Sequence, residues 1–375
     1  MKKLKTYEKL FLKRSPYKIE KRSGKYIWIK GERFLNFSSN DYLGIASSRK
    51  ANRIVSDAFL NFDISSSSSR LVCGNYSIIE KAEEEYAKFF GYEDALFFPS
   101  GYQANLAVIS ALFEKDDVIL FDKHAHSSII KGIMLSEAEY HGFNHNSISH
   151  LRKRLSKLQG KEIVVITESL FSMDGDLLDT REMKSLKQKY GFFCLVDEAH
   201  AFGVLGEKGK GIATELADIA VGTLGKAFGF SGAFVLLPNK KIKELLFNLS
   251  LPIMHSTAIS PAHAAACKEL LYIVAEADEE RKKLRDISYI ARDRLKKEGF
   301  SVLGDAHIIS LKVGDEKKSL AISKKLLEKN IYIPSIRYPT VPIGKSILRI
   351  SITSMHTEED IDLLINALKD AWSKT

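Results

Sequence analysis

EIVVITESLFSMDGDLLDTREMKSLKQKYGFFCLVDE, residues 162–198, contains two short apolar runs with a helical pattern between them. EIVVITES (162–169) and FFCLVDE (192–198) are dense in β-branched and aromatic residues, so each reads as a strand. TREMKSLKQKYG (180–191) reads as the helix that joins them. The alternation continues on both sides. KAEEEYAKFFG (81–91) and GYQANLAVISALF (101–113) read as helices, and DALFFPS (94–100), DVILFD (117–122), DIAV (218–221) and GAFVLL (232–237) as strands. Short apolar runs alternating with amphipathic helices predict an α/β core, a mostly parallel sheet with helices on both faces.

The last hundred residues change character. A charged helix, DEERKKLRDISYIARDRLKKEG (278–299), precedes the strand patterns HIISLKV (307–313), IYIPSI (331–336) and ILRISIT (347–353). The final helix opens on Thr357, Glu358, Glu359 and Asp360, a capping pattern, and carries Ile361, Leu364, Ile365 and Leu368 on one face. This is a smaller C-terminal α+β domain. The expected division is an N-terminal arm over 1–46, a large domain over 47–270 and the small domain over 271–375. Ser65–Ser69 is a low-complexity stretch and reads as a flexible loop.

With 375 residues and 45% hydrophobic content, the composition is that of a globular protein with room for a large core. Cys73, Cys194 and Cys267 are far apart and form no C-x-x-C pair, which points away from disulfide and zinc frameworks and towards a reducing cytoplasm. The basic start, MKKLKTYEKLFLKRSPYKIEKR, is interrupted by charges and lacks the apolar stretch of a signal peptide. No run approaches the roughly 18 apolar residues of a membrane span, so a soluble protein is expected. The net charge of +9 is spread along mixed-charge helices, a solvated surface rather than a nucleic-acid footprint, and it leaves open an acidic protein that delivers substrate.

Ligands of a parallel sheet bind beyond the carboxyl ends of its strands, so the residues there are the informative ones. Ser100-Gly101-Tyr102 follows DALFFP at a helix start, where backbone N–H groups and the helix dipole suit a phosphate. His126 follows DVILFD, Ser172 follows EIVVITES, and FFCLV runs into Asp197, Glu198, Ala199 and His200. VDEAH (196–200) also occurs in DEAH-box helicases, but those need an upstream G-x-x-x-x-G-K-[ST] loop. The one similar Gly-Lys, Gly225-Lys226, lies downstream with Ala220 and Ala227 at the required positions, which excludes that reading.

GTLGKAFG (222–229) sets Lys226 among small residues between the strands DIAV and GAFVLL. A partly desolvated lysine has its pKa lowered from about 10.4 and attacks aldehydes to form an imine, and small neighbours leave room for a flat ring. Pyridoxal phosphate needs such a lysine, a carboxylate for its ring nitrogen, a phosphate cup and a residue stacked on the ring. Lys226, Asp197, the N–H groups of Gly101 and Tyr102, and His126 supply the four.

These motifs resemble the α-oxoamine synthases, pyridoxal-phosphate enzymes of the aspartate-aminotransferase fold (fold type I). The similarity runs through NFSSNDYLG (36–44), SRLVCG (69–74), FFPSGYQAN (97–105), FNHNSISHL (143–151), ESLFSMDGDLLD (168–179), VDEAHAFGVLGEKGKG (196–211), GTLGKAFGFSGAF (222–234) and RYPTVPIGKSILRISITSMHT (337–357). The resemblance implies that Lys226 forms the imine, Asp197 pairs with the pyridinium and His126 stacks on the ring. It further implies that His200 and Ser172 reach the phenolic oxygen and that Thr223 joins Gly101 and Tyr102 on the phosphate. Arg349 is the implied grip on the amino-acid carboxylate; on its strand Ile347, Arg349, Ser351 and Thr353 share one face. Asn40, Arg14 and Thr340 are the implied further substrate contacts.

Within the family, NFSSNDYLG and R-x-P-T-V-P are most similar to the members that condense L-alanine with a pimeloyl thioester, carried on CoA or on acyl carrier protein. A sister reaction of glycine with another acyl-CoA is the alternative, and a homodimer without nucleic-acid or membrane partners is implied. Two departures stand out: ISSSSSR replaces a glycine-rich segment, and Gly74-Asn75-Tyr76 replaces Gly-Thr-His, with Ile79 where a later histidine is common.

Overall fold

The computed structural model describes residues 2–158 and 160–375. They form two compact units, one of residues up to Ser47 with Ser172–Leu177 and Glu279–Thr375, the other of Ser48–Phe171 with Leu178–Asp278. In the first, helix α1 (Lys2–Lys9) precedes an antiparallel meander of β1 (Lys21–Ser23), β2 (Tyr26–Ile29) and β3 (Glu32–Asn36).

The larger unit starts with α2 (Arg49–Asn61) and α3 (Ser77–Phe90). It then alternates through β4 (Asp94–Phe98), α4 (Gly101–Leu112), β5 (Asp117–Asp122), α5 (Ser127–Leu135), β6 (Glu139–Phe143) and α6 (Ile148–Leu155). β7 (Glu162–Glu168), α7 (Thr180–Tyr190), β8 (Phe193–Asp197), β9 (Ile219–Thr223) and β10 (Ala233–Leu237) follow, then α8 (Lys240–Leu249), α9 (Leu251–His255) and α10 (Pro261–Ala275). The seven strands make one sheet in the order β4-β10-β9-β8-β7-β5-β6. β10 runs antiparallel to β4 and β9, and the other pairings are parallel.

The opening stretch is thus the unit β7-α7-β8. Its helix starts where Asp179 accepts the Glu182 N–H and stops at Gly191, whose φ of +70° only glycine adopts readily. Its strands pair in a register that sets Glu168 across from Asp197. Because β5, β7, β8 and β9 are parallel, residues 122, 168, 197 and 223 finish at one edge of the sheet.

Alternate side chains build the two faces. Leu96, Phe98, Ile166, Leu195, Val221 and Val235 belong to one buried cluster with Ala104 and Val108 of α4 and Ile129 of α5. Phe97 and Phe234, one residue out of phase, turn to the other face, where Tyr86 lies 5.0 Å and 4.8 Å from their ring centroids. Phe234 also faces Gly222 across the β9–β10 pair, and a Cβ on Gly222 would sit 2.3 Å from the Phe234 ring.

The smaller unit continues with α11 (Asp278–Lys297), β11 (Val302–Leu303), β12 (Ile308–Gly314), α12 (Glu316–Glu328), β13 (Ile331–Tyr332), β14 (Ser335–Ile336), β15 (Ser346–Ser351) and α13 (Glu358–Ser373). β11-β12-β15-β14 form an antiparallel sheet, and β13 joins β3 in parallel. IYIPSI is therefore two strands rather than one: Pro334 has no N–H to give, and the residues on its two sides pair with different partners. At the start of α13 Thr357 and Asp360 form the expected capping box.

The serine stretch is a built loop, contrary to its reading as flexible. Ser66 is buried and its hydroxyl donates to the Ile259 carbonyl at 2.5 Å, while Ser65 Oγ accepts the Ser67 N–H at 3.0 Å. Asn75, at one departure, accepts from Arg70 Nε and donates to Glu80, and Arg70 makes a buried bidentate pair with Glu83 at 2.6 and 3.1 Å. Among the described residues no helix is long and apolar enough to cross a membrane.

The Gly222–Phe234 contact yields a stability prediction. Gly222→Ala should lower unfolding stability by about 1–3 kcal/mol, as overpacking does, seen as an earlier urea midpoint. Adding Phe234→Leu should restore part of the loss, and additive losses in the double variant would refute the contact.

Candidate active site

The charged end of the sheet is assembled from neighbouring strand ends of the larger unit. At the end of β8 the Asp197 side chain is buried. Its Oδ1 accepts the Ala199 N–H at 2.9 Å and its Oδ2 accepts Asn105 Nδ2 at 2.8 Å. Both donors are neutral, and a buried carboxylate so held suits a cationic N–H.

His126 is the N-cap residue of α5. Its Nδ1 lies 2.7 Å from Ser128 Oγ, and its backbone N–H donates to Glu168 Oε1 at 2.6 Å. Although the residue is exposed, desolvation lowers its pKa; Asp197 opposes that and Lys226 adds to it. Tyr102 stands edge-on to the ring at 6.2 Å between centroids. His200, three residues beyond Asp197, is buried.

α4 begins at Gly101 because Ser100 caps it, accepting the Gln103 N–H. The Gly101 and Tyr102 N–H groups lie in the first helical turn and have no acceptor within the helix, an arrangement that suits an anion. Thr223 lies beside it, its Oγ1 3.9 Å from the position of a Gly101 Cβ. That oxygen accepts the Gly225 N–H at 3.2 Å.

Lys226 is half-buried in the turn after β9, which Phe230 N and Gly229 N close onto the carbonyls of Leu224 and Lys226, both at 2.9 Å. The glycines of GTLGKAFG divide their work, which corrects the expectation that they only leave space for a ring. Gly222 admits Phe234, and Gly229 takes φ of +66° in the turn. A Cβ on Gly225 would meet nothing nearer than Thr223 Oγ1 at 3.5 Å, so that glycine alone matches the expectation.

Two residues escaped the sequence reading. Glu168 is buried at the end of β7, and its carboxyl is raised well above the ordinary range by burial and by Asp197, with Lys226 acting the other way. Asn105 is buried one turn into α4. The signal for Glu168 was its place opposite Asp197 in the βαβ register; Asn105 carried none.

The predicted substrate residues lie in the smaller unit. Arg349 is buried on β15, both faces of which are buried. Its Nε donates to the Ser172 carbonyl at 2.5 Å and its Nη1 to Ser351 Oγ at 2.7 Å and Asn40 Oδ1 at 3.3 Å. The structure thus brings Arg349, Asn40 and Ser172 together, and Ser172 belongs to this unit. Arg14 Nη2 donates to Thr340 Oγ1 at 3.0 Å and to the Arg337 carbonyl at 2.9 Å, so these two predicted contacts also meet each other.

The chain is similar to known proteins over most of its length. The family "Aminotransferase class I and II" matches residues 32–368. A protein of Acetivibrio thermocellus named putative 8-amino-7-oxononanoate synthase is 38% identical over 92% of this chain and 90% of its own length. The 8-amino-7-oxononanoate synthase of Petrotoga mobilis is 36% identical over 93% and 91%. Among solved structures, Sphingomonas wittichii serine palmitoyltransferase superposes with a TM-score of 0.91 at 29% identity, covering 96% of this chain and 93% of that one. The 8-amino-7-oxononanoate synthase from Francisella tularensis gives a TM-score of 0.78 at 29% identity, covering 91% and 97%.

Glu198, the second acid of VDEAH, ties down the loop that follows. Its buried carboxylate accepts Ser169 Oγ at 2.5 Å and the N–H groups of Ala213 and Ile212 at 2.6 and 3.1 Å. Burial pushes its pKa up to about 7 from the ordinary 4.5. The folded state therefore binds this proton more tightly than the unfolded state, so Glu198 costs stability progressively as pH rises from about 4.5 to about 7, then no further. Glu198→Gln should flatten the fall in urea midpoint across that window; an unchanged slope would refute the assignment.

Proposed function

The chain belongs to the class I and II aminotransferase family, and we propose that it catalyses the decarboxylative condensation of L-alanine with a pimeloyl thioester. The products are 8-amino-7-oxononanoate, carbon dioxide and the free thiol. One observation carries the reading: a buried carboxylate held by neutral donors, a half-buried lysine and a helix N-terminus belong to one end of one sheet, in a chain whose relatives bear this enzyme's name.

Pyridoxal phosphate is the cofactor, and when bound it supplies an aldehyde that takes the amino acid's nitrogen and a protonated ring that accepts the electrons released at Cα. The donor set suits it. Asp197 would pair with the ring nitrogen, the N–H groups of Gly101 and Tyr102 with Thr223 would hold the phosphate, His126 would cover the ring, and His200 would reach the phenolic oxygen. Lys226 would supply the amine that holds the cofactor and the base for the proton at alanine Cα. Arg349 binds the alanine carboxylate, oriented by the Ser172 carbonyl, Ser351 and Asn40. Arg14 and Thr340 bind the acyl substrate. The net charge of +9 suits an anionic carrier of that chain, which both CoA and acyl carrier protein are.

A homodimer accords with the apolar side chains that the larger unit leaves exposed, Leu60, Phe62, Ile64, Leu71 and Val72. Leu60→Glu combined with Val72→Glu should shift the eluted mass from two chains towards one; a wild-type mass of one chain would exclude the dimer.

The purified protein, loaded with pyridoxal phosphate, should absorb visible light and lose that band with borohydride, and Lys226→Ala should lack both the band and turnover. A Lys226→Ala protein that keeps either refutes the role of the lysine. Arg349→Lys should keep the band and raise the alanine KM about 10- to 100-fold, the worth of a lost charged hydrogen bond of roughly 1.5–3 kcal/mol. Alanine and glycine assayed against pimeloyl and shorter thioesters, on CoA and on carrier protein, test the substrates by thiol release. Faster turnover with glycine would overturn the proposed reaction.

A further inference from the structure

Asp197 and His126, whose individual contacts with Asn105 and Ser128 are described above, are joined through these two side chains into one chain of hydrogen bonds. Asn105 Nδ2 donates one hydrogen to Asp197 Oδ2 at 2.8 Å and the other to Ser128 Oγ at 3.0 Å. Ser128 Oγ lies 2.7 Å from His126 Nδ1, and the Ser128 N–H points at the same nitrogen at 3.3 Å. Asn105 and Ser128 are both buried.

The direction of every bond in this chain follows from its first member. A carboxylate only accepts, so it fixes the Asn105 amide with nitrogen towards Asp197; the reverse would set oxygen against oxygen. The amide oxygen is buried without a partner, so it has no hold on the orientation. Ser128 Oγ accepts the second amide hydrogen and turns its own hydrogen on His126 Nδ1. That nitrogen, met by an O–H and an N–H, holds no proton, and the ring proton resides on Nε2.

We propose that Asn105 and Ser128 are positioning residues that use the Asp197 carboxylate to hold His126 as the neutral Nε2–H tautomer. The inference rests on the reading of this end of the sheet as a pyridoxal-phosphate site. An imidazole covering a ring whose nitrogen is protonated is repelled if it is itself a cation, and protonating Nδ1 requires Ser128 and Asn105 to break their pattern. The other groups acting on His126 are Lys226, Glu168 through the backbone N–H, and the Tyr102 ring. The hydrogen bonds at Nδ1 described above are those of Ser128.

The test is ring-nitrogen NMR on the full-length protein with 15N-labelled histidine, with and without pyridoxal phosphate, the His126 signals being those that His126→Asn removes. In the wild type, Nδ1 should show the shift of an unprotonated nitrogen and Nε2 that of an N–H. Ser128→Ala should mix the tautomers and raise the His126 titration midpoint by about one pH unit, Asn105→Ala should do so in part, and Ser128→Thr should restore the wild-type pattern. Unchanged tautomer and midpoint in both alanine variants would overturn the proposal, as would a wild-type Nδ1–H. The visible band recorded on the same samples separates the two readings. Its absence from the wild type sinks the cofactor assignment and leaves the tautomer measurement standing, whereas a normal band with an unaltered histidine in the variants sinks this proposal alone.

Discussion

A negative charge buried at the end of a parallel strand governs the organisation of this site. Taking a carboxylate out of water costs several kcal/mol, and hydrogen bonds to a charged group return roughly 1.5–3 kcal/mol each. Asp197 accepts from Ala199 and Asn105, both neutral donors. Its neighbours reflect this. Glu168, set opposite it by the strand register, is pushed towards its protonated form, and His126 is left with its Nδ1 edge as an acceptor. Moving β7 by one residue against β8 would separate these groups and turn each side chain to the other face.

The rigid surroundings come from packing on both sides of the sheet. The aliphatic face fixes α4 and α5, whose N-terminal ends carry the Gly101 and Tyr102 N–H groups and the capping His126. The aromatic face is crowded enough that Gly222 must lack a side chain for Phe234 to fit. Near the edge strand, Glu83 is buried with Arg70 and Lys243, and Lys243 also reaches Asp94 at 2.7 Å. Such a cluster is costly to break, because removing one partner strands the other charge in a dry place.

Much of the fold was legible because its strands are short, apolar and separated by helices with clear starts and stops. Lys226, Asp197, His126, Gly101 and Thr223 could be placed from sequence because each follows a strand, and parallel strands end together. The N-terminal meander was not legible: β1 is exposed along its length, and β3 gains β13 as a neighbour only through a long-range pairing. IYIPSI misled because a short apolar run carries no mark of which partner each half will choose. The serine run misled because composition does not show which hydroxyls will find buried carbonyls.

The sequence alone determined the alternation of strand and helix, the side chains at each strand end and, through these, the class of chemistry, because periodicity and the chemical nature of residues are local properties. Tertiary structure decided the rest. Register chose Glu168 as the neighbour of Asp197, close packing gave Gly222 to Phe234 rather than to a ring, and three-dimensional folding brought Asn105 and Ser128 between Asp197 and His126. Hydrogen bonds between residues 92 and 23 positions apart have no sequence signature, since their direction is fixed only when a buried carboxylate demands a donor.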